Sequence, residues 1–449
     1  MNVKQKFSLA VNLICFDFNL KLRTKKNLKS VLLMEEVKYL FYVEKFLMNP
    51  TYNDIKNANS MRGNEIRKTP LVYSPTFSDI TGSQIYLKAE FQQKTGSFKI
   101  RGAYYKIKLL SSEEKKYGVV AASAGNHAQG VAFASSLEKI PCTIIMPKNA
   151  SPSKVSATKG YGATVILEGV NYDEASAKAK EISQKTGATM IHAFDDSEVI
   201  AAQGVIGLEI LEELPDVDEI YVPIGGGGLA AGVLIAIKEK NPKIKVIGVQ
   251  SKSFPSMYES IKNGSLTSCG GARTIADGIS VKIPGQKTFS IIKELIDEVV
   301  LVDDSEIIKA MFLLMERSKF VVEPAGVVGL AYLISTKPAP GKKVVTILSG
   351  GNVDMYLLGQ IVDKGLATMG RLLKISILLP DRPGAFKEIV DEISAANANI
   401  VEVVHDRLSS NINAGSAGVT LSLETQGKEQ TDKLIEILKK KNIQFSLMT

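Results

Sequence analysis

Three short runs of this chain combine residue types able to do covalent chemistry on a small phosphorylated molecule. Lys99 stands in Thr95-Gly96-Ser97-Phe98-Lys99-Ile100-Arg101-Gly102-Ala103. Gly225-Gly226-Gly227-Gly228-Leu229 lies far downstream, and Ser349-Gly350-Gly351-Asn352 further still. Ser97 can cap a helix that begins near Phe98 or Lys99. At such a start the like-signed end of the helix dipole favours a neutral lysine amine. The neutral amine is the form that attacks a carbonyl to give a Schiff base. Taken alone, Lys99 reads as one more surface lysine.

The glycine run changes that weighing. Val222 and Ile224 end an apolar strand, and Leu229-Ala230-Ala231 opens a helix. Successive glycines let backbone N–H groups converge on a phosphate without Cβ clashes. The helix N-terminus adds partial positive charge. A flexible turn is the bland alternative, but four glycines at a strand-to-helix junction favour a phosphate. The spacing is neither GxGxxG nor GxxxxGK[ST], which demotes nucleotide readings. A third constellation, Ser123-Ala124-Gly125-Asn126-His127-Ala128-Gln129-Gly130, also follows a strand and opens a helix. Exposed N–H groups there suit a carboxylate, and Asn126 could donate to a phenolate oxygen. His127 reads equally as a general base or as a structural histidine. With only His127, His192 and His405 in the chain, and none clustered, no metal site is expected. A helix-start lysine and a phosphate cradle together point to a covalently tethered phosphorylated aldehyde, pyridoxal phosphate.

The elements that must position these residues are those of a large soluble protein. At 449 residues, two or three domains are expected. The net charge of +8 suggests nucleic acid at first sight. Residues 1–33 hold seven basic residues against Asp17, a local net of +6, so the body carries only +2. No basic stripe with interleaved aromatics occurs in it, which argues against nucleic-acid binding. Cys15, Cys142 and Cys269 are far apart and odd in number, which suits a reducing, cytoplasmic setting without disulfides. Cys142 lies in an apolar run and is expected in the core. No apolar run approaches the roughly 18 residues needed to span a bilayer. Phe7 to Phe16 only faintly mimics a secretory signal. Residues 1–47 are therefore expected to be a poorly ordered basic extension, or untranslated with Met34 or Met48 as the start, rather than a targeting segment.

From about Gln84, short apolar runs alternate with helical patterns. Strands are expected at Ile85–Ala89, Gly118–Ser123, Thr143–Met146, Thr164–Leu167, Glu219–Ile224, Lys245–Gln250 and Lys343–Leu348. Helices are expected at Asp173–Thr186, Val199–Leu214 and Leu229–Lys240. This alternation implies an α/β fold with parallel sheets covered on both faces. Clusters before and after about residue 195 suggest two lobes with a cleft between them. Gly365 to Gly370 reads as a boundary. Beyond it, Leu372–Leu379, Ile400–Asp406, Val419–Glu424 and Ile443–Leu447 read as strands, with helices at Gly384–Ala396 and Lys428–Lys441. That order is βαββαβ, the ferredoxin-like arrangement.

Across roughly residues 50–365, the Lys99, Ser123–Gly130, tetraglycine and Ser349–Asn352 motifs, in that order, resemble the threonine/serine dehydratase family. These are two-lobed fold-type-II pyridoxal phosphate enzymes, related to tryptophan synthase β. Residues 371–449, with Leu379-Pro380-Asp381-Arg382-Pro383-Gly384-Ala385, resemble an ACT regulatory domain. The arrangement as a whole is similar to catabolic-type threonine ammonia-lyases with one such unit, behind a catalytic domain at 48–366.

The resemblance implies a carbon–nitrogen lyase that converts L-threonine to 2-oxobutanoate and ammonia, with L-serine to pyruvate as a side activity. It implies that Lys99 holds the cofactor as a Schiff base and takes the Cα proton. Phe98 then packs near the ring, and Gly225, Gly226, Gly227, Gly228 and Leu229 give backbone donors to the phosphate. Asn126 meets the ring's 3′ oxygen, Ser349 faces the pyridine nitrogen, and Gly278 and Glu323 lie nearby. Ser123, Ala124, Gly125, Asn126 and His127 line the substrate carboxylate site. A neutral hydroxyl at Ser349 leaves the ring nitrogen unprotonated, which favours prompt β-elimination. Serine racemases of the family carry a serine where this chain has Ala124. Alanine cannot protonate the opposite face of Cα, so racemisation or β-replacement is the alternative reading. Phe91 replaces an asparagine common in relatives, and Gln250 replaces a glutamate that helps some of them bind a cation. The loop Asp381, Arg382, Pro383 and Gly384 could hold the carboxylate of an amino-acid effector, or serve a nucleotide. The bland alternative for the same domain is a dimerisation module that binds no ligand. A homodimer or homotetramer is implied.

Overall fold

Runs of β-branched and small apolar residues set the two parallel sheets. The structure, a computed structural model, describes residues 49–271, 273–409 and 412–448. The expectations for residues 1–47, including Cys15, fall outside the described residues.

The large sheet contains β1 (Leu71–Tyr73), β2 (Gln84–Lys88), β7 (Glu219–Pro223), β8 (Lys245–Ser251), β9 (Glu298–Val302) and β10 (Lys343–Ile347). The small sheet contains β3 (Val119–Ala122), β4 (Cys142–Met146), β5 (Thr164–Leu167) and β6 (Thr189–Met190). The large sheet runs β1-β2-β10-β7-β8-β9 and the small one β5-β4-β3-β6. All pairings in both are parallel except β1 with β2. Strands β3 and β7 are buried along their whole length, as sheets covered by helices on both faces require.

The lobes are not split simply at residue 195. β2, early in the chain, pairs with β10, with Val344 opposite Ile85. The large lobe is therefore discontinuous, and the small lobe is an insertion between β2 and β7. β10 is the reason: it needs a partner on each side, and β2 and β7 supply them. β1, β6 and β9 were not expected. β1 and β6 have only three and two residues, too few for a period to show.

The C-terminal sheet contains β11 (Leu372–Pro380), β12 (Asn399–Asp406), β13 (Ser416–Glu424) and β14 (Phe445–Leu447), in the order β12-β13-β11-β14. Every pairing is antiparallel. Ile375 and Ile377 of β11 alternate inward and pack with Val419 and Leu421 of β13. Ile389 and Ile393 of helix Ala385–Ala395, and Leu434 and Leu438 of helix Lys428–Lys440, cover that face. This is the ferredoxin-like βαββαβ arrangement. Gly365 is not a break, because helix Met355–Thr368 runs through it. A Cβ there would meet Phe312 at 2.3 Å, so this glycine serves packing. The turn comes at Gly370, with φ at +66°.

Helix Lys99–Lys108 is anchored by a buried ion network. Arg101 Nε lies 2.8 Å from Glu90 Oε2, and its NH1 lies 2.8 Å from Glu209 Oε1. Lys88 Nζ lies 2.7 Å from Glu209 Oε2 and donates to Thr69 O at 2.6 Å. All four charged side chains are buried. Burial opposes the charges, but Arg101 and Lys88 outweigh it and hold the Glu209 carboxyl below its ordinary range. Removing one partner of such a network leaves an uncompensated charge. Glu209→Gln should lose about 3–5 kcal/mol of stability, read from urea denaturation.

Candidate active site

Lys99 is the first residue of its helix, as expected, but Ser97 is not its cap. Phe98 holds the N-cap position in helical conformation, with no side-chain cap bond. Ser97 instead forms a backbone bridge with Gly350, and its buried hydroxyl has no hydrogen-bond partner among the described residues. The bridge continues on both sides. Phe98 N donates to Ser349 O at 3.1 Å, and Gly351 N donates to Gly96 O at 2.8 Å. Two motifs some 250 residues apart are thus zipped together by backbone. Gly96 needs φ at +74°, and a Cβ there would strike Asn352 Oδ1 at 2.4 Å.

The Lys99 amine donates to Ala193 O at 2.9 Å and lies 5.1 Å from the centre of the Phe98 ring. The side chain as a whole is half-buried, and its amine end is the part withdrawn from water. Desolvation lowers its pKa to about 8, against the opposing pull of Glu323. Glu323 is buried, and its carboxyl is pushed up to about 7 by burial and then by Asp277. Asn126 Nδ2 donates to Glu323 Oε1 at 2.7 Å, and Asn352 Nδ2 donates to Asn126 Oδ1 at 2.7 Å. Asn126 comes from the small lobe, and Glu323 and Asn352 from the large one. The knot therefore crosses the cleft. Gly278 joins it from the side: a Cβ there would lie 2.9 Å from Ala325 Cβ and 3.8 Å from Glu323 Oε1.

The tetraglycine loop is built as a cradle. Gly227 has φ at +98°, and helix Gly228–Lys240 starts with no side-chain cap on its amides. A Cβ at Gly226 would sit 2.4 Å from Phe194 Cδ1, and one at Gly228 would sit 2.9 Å from Phe194 Cα. Thr288 Oγ1 donates to Gly226 O at 2.6 Å. Asp195 accepts from Gln286 N at 3.0 Å, Lys287 N at 2.9 Å and Thr288 N at 3.2 Å. Gly225 and Leu229 flank the turn, the latter buried. Ser123, Ala124, Gly125 and Asn126 form a half-buried run at the head of helix Asn126–Glu138. Ser123 Oγ accepts from Gly125 N at 3.2 Å, and space is open beside Gly125.

His127 is buried, and its Nε2 lies 2.9 Å from Ile191 O. Burial, then Lys99, lower its pKa to about 3. That favours the structural reading over the general base. Gln250 is buried with Oε1 accepting from Tyr258 N at 2.9 Å. Cys142 is in the core, as expected. Asp381, Arg382, Pro383 and Gly384 are exposed and precede helix Ala385–Ala395 of the C-terminal sheet, apart from the cleft residues.

Sequence reasoning gave no role to Asn352, although its motif was read. It also missed Phe194, Asp195 and Thr288. Neither the Asp195-Asp196 pair nor any spacing says that Asp195 caps a helix some 90 residues later.

These residues fit a phosphorylated aldehyde. The amine of Lys99 has a lowered pKa, the buried Ser97 hydroxyl has no hydrogen-bond partner among the described residues, and the glycine cradle leaves no room for a side chain at Gly226 or Gly228. Residues 63–350 match the family described as pyridoxal-phosphate dependent enzyme. The chain belongs to that family. Pyridoxal phosphate is its cofactor. Among curated relatives, L-threonine ammonia-lyase of Thermotoga maritima is 48% identical over 388 residues, covering 86% of this chain and 97% of its own length. Among solved structures, the processed threonine deaminase isoform 2 of Solanum lycopersicum is 35% identical at TM-score 0.67, over 71% of this chain and 91% of its own. Maize serine racemase is 36% identical at TM-score 0.67, over 72% of this chain and 99% of its own.

Two outcomes follow for this pyridoxal phosphate enzyme. Gly226→Ala should weaken cofactor binding at least about tenfold with the fold retained, because the Phe194 wall leaves no room for a methyl. Titration of the apoprotein with cofactor checks this. The Glu323 carboxyl rises from 4.5 to about 7 on folding, so the folded apoprotein keeps a proton that the unfolded chain releases. Its stability relative to Glu323→Gln should fall as pH rises from 4.5 to about 7, then level off, as thermal midpoints will report.

Proposed function

We propose that the enzyme removes water and then ammonia from L-threonine, giving 2-oxobutanoate, with L-serine to pyruvate as a side reaction. The observation that carries this reading is the convergence of Lys99, Asn126, Glu323, Ser349 and the glycine cradle at one cleft. The threonine ammonia-lyase and threonine deaminase relatives support the substrate. Lys99, the Gly225–Leu229 loop, Asn126 and Ser349 would hold the cofactor. Pyridoxal phosphate bound there supplies the electron sink for charge developing at the substrate's Cα.

The chain's own residues do the rest. The amine of Lys99, near 8, is matched to moving the Cα proton at neutral pH. The amides at Ser123–His127 bind the substrate carboxylate at a helix start. Ser349 would present a neutral hydroxyl, not a carboxylate, toward the ring nitrogen of the bound cofactor, so no side chain there would hold a proton on it. Glu323 orients Asn126 and, near 7, can share its proton. The similarity to maize serine racemase favours racemisation as a second reading. Against it stands Ala124, which has no hydroxyl to deliver a proton to the other face of Cα.

The catalytic domain is proposed at residues 48–366 and an ACT regulatory domain at 371–449. The strand order of the C-terminal sheet supports the second. Gly384, with φ at +89°, precedes helix Ala385–Ala395, and Arg407 pairs with Asp381 at 3.1 Å across the loop. An amino acid or nucleotide is the effector class proposed for that loop, and a homodimer or homotetramer is the proposed assembly. No helix of the described residues is long and apolar enough to cross a membrane. The free thiols Cys142 and Cys269 support a cytoplasmic setting.

The test is release of 2-oxo acid from L-threonine and L-serine, with Lys99→Ala in parallel. Lys99→Ala should lower kcat more than about 10³-fold. Racemised serine without 2-oxo acid would move the assignment to the second reading.

A further inference from the structure

One helix of the small lobe reaches over to the large lobe. Helix Pro152–Gly160 follows β4, and its Lys154 Nζ lies 2.9 Å from Asp277 Oδ2 of the large lobe. Asp277 opens the short 3-10 turn Asp277–Ile279, which packs on the turn Pro324–Gly326 directly after Glu323. Just before the helix, Ser151 Oγ donates to Asp354 Oδ2 at 3.4 Å. Asp354 caps helix Met355–Thr368, two residues after Asn352. The segment is thus tied to the large lobe at two points beside the Asn126–Glu323–Asn352 knot.

Charge supports the same placement. Burial opposes the Lys154 ammonium, but Asp277, Glu323 and Asp354 together hold its pKa above the ordinary value. These three carboxylates all come from the large lobe. The groups that face Glu323 are Asp277, Lys154, Lys99 and the Asn126 amide. Lys154 and Lys99 are its two cations, and only Lys154 is outside the cofactor-binding set. Asp277 is mostly exposed, so the pair adds little to global stability. Its effect is on where the small lobe sits.

We propose that Lys154 is a positioning residue of this enzyme: through Asp277 it holds the small lobe over the cleft and balances the negative charge beside Glu323. The inference rests on the reading of Lys99 and Asn126 as reaction residues. Both partners of the pair hold the lobe, but they act on Glu323 with opposite sign. Loss of Lys154 removes a cation that favours the carboxylate. Loss of the Asp277 charge removes an anion that opposes it.

The experiment uses full-length holoenzyme and the variants Lys154→Met, Asp277→Asn and Lys154→Arg. Amide hydrogen exchange over residues 152–160 should be faster in the first two and near wild type in Lys154→Arg. Lys154→Met should lower kcat for L-threonine about tenfold, with Tm unchanged. The limb of the kcat–pH profile nearest pH 7 should move up in Lys154→Met and down in Asp277→Asn. Unchanged exchange in both variants overturns the proposal. So does a limb that stays put while Tm and activity fall together, which would make Lys154 merely structural. Should the wild type release no 2-oxo acid, the threonine reading fails, while the exchange measurement still decides this one.

Discussion

Everything at this site depends on keeping one lysine amine partly desolvated yet reachable from a cleft. A lysine so placed must be held by something stronger than its own surroundings. Two residues beyond Lys99, Arg101 is locked between Glu90 and Glu209, with Lys88 completing the network. β2 and the 3-10 turn after it bring Lys88 and Glu90, and helix Ser197–Glu213 brings Glu209. The geometry of guanidinium and carboxylate thereby fixes the start of the helix that carries Lys99.

Around that anchor, backbone does the work often given to side chains. The Lys99 and Ser349 motifs are joined by main-chain hydrogen bonds, and Asn352 closes the seam by donating to Thr95 O at 2.8 Å. The tetraglycine loop proposed to hold the cofactor phosphate is also backbone, shaped from behind by Phe194, Asp195 and Thr288. Main-chain donors need no rotamer to be fixed, so the cleft is preorganised at low entropic cost. Where side chains do cross the cleft, at Asn126 and Glu323, they couple the lobes to the charge state of one carboxyl.

Much of this was legible in the sequence. The tetraglycine run, the lysine at a helix start and the alternation of apolar runs each follow a local rule, and each was found where expected. The βαββαβ order of the C-terminal region was legible for the same reason, because β11 alternates with a period of two. The Ser97 cap failed although it too was a local rule. Its hydroxyl was drawn into a bridge with Gly350, a partner that no local spacing reveals.

The sequence by itself determined the kinds of chemistry available: an amine, a run of four glycines between a strand and a helix, a neutral hydroxyl at Ser349 and no hydroxyl at Ala124. Those follow from residue identity and spacings of a few residues. Tertiary structure alone decided that β2 belongs with β10, that Asp195 braces a helix far downstream, and that Glu323 titrates near 7 while His127 stays neutral. The reason is physical. Pairing across a sheet and desolvation in a cleft depend on which distant segments meet, and that is set by packing of the whole chain.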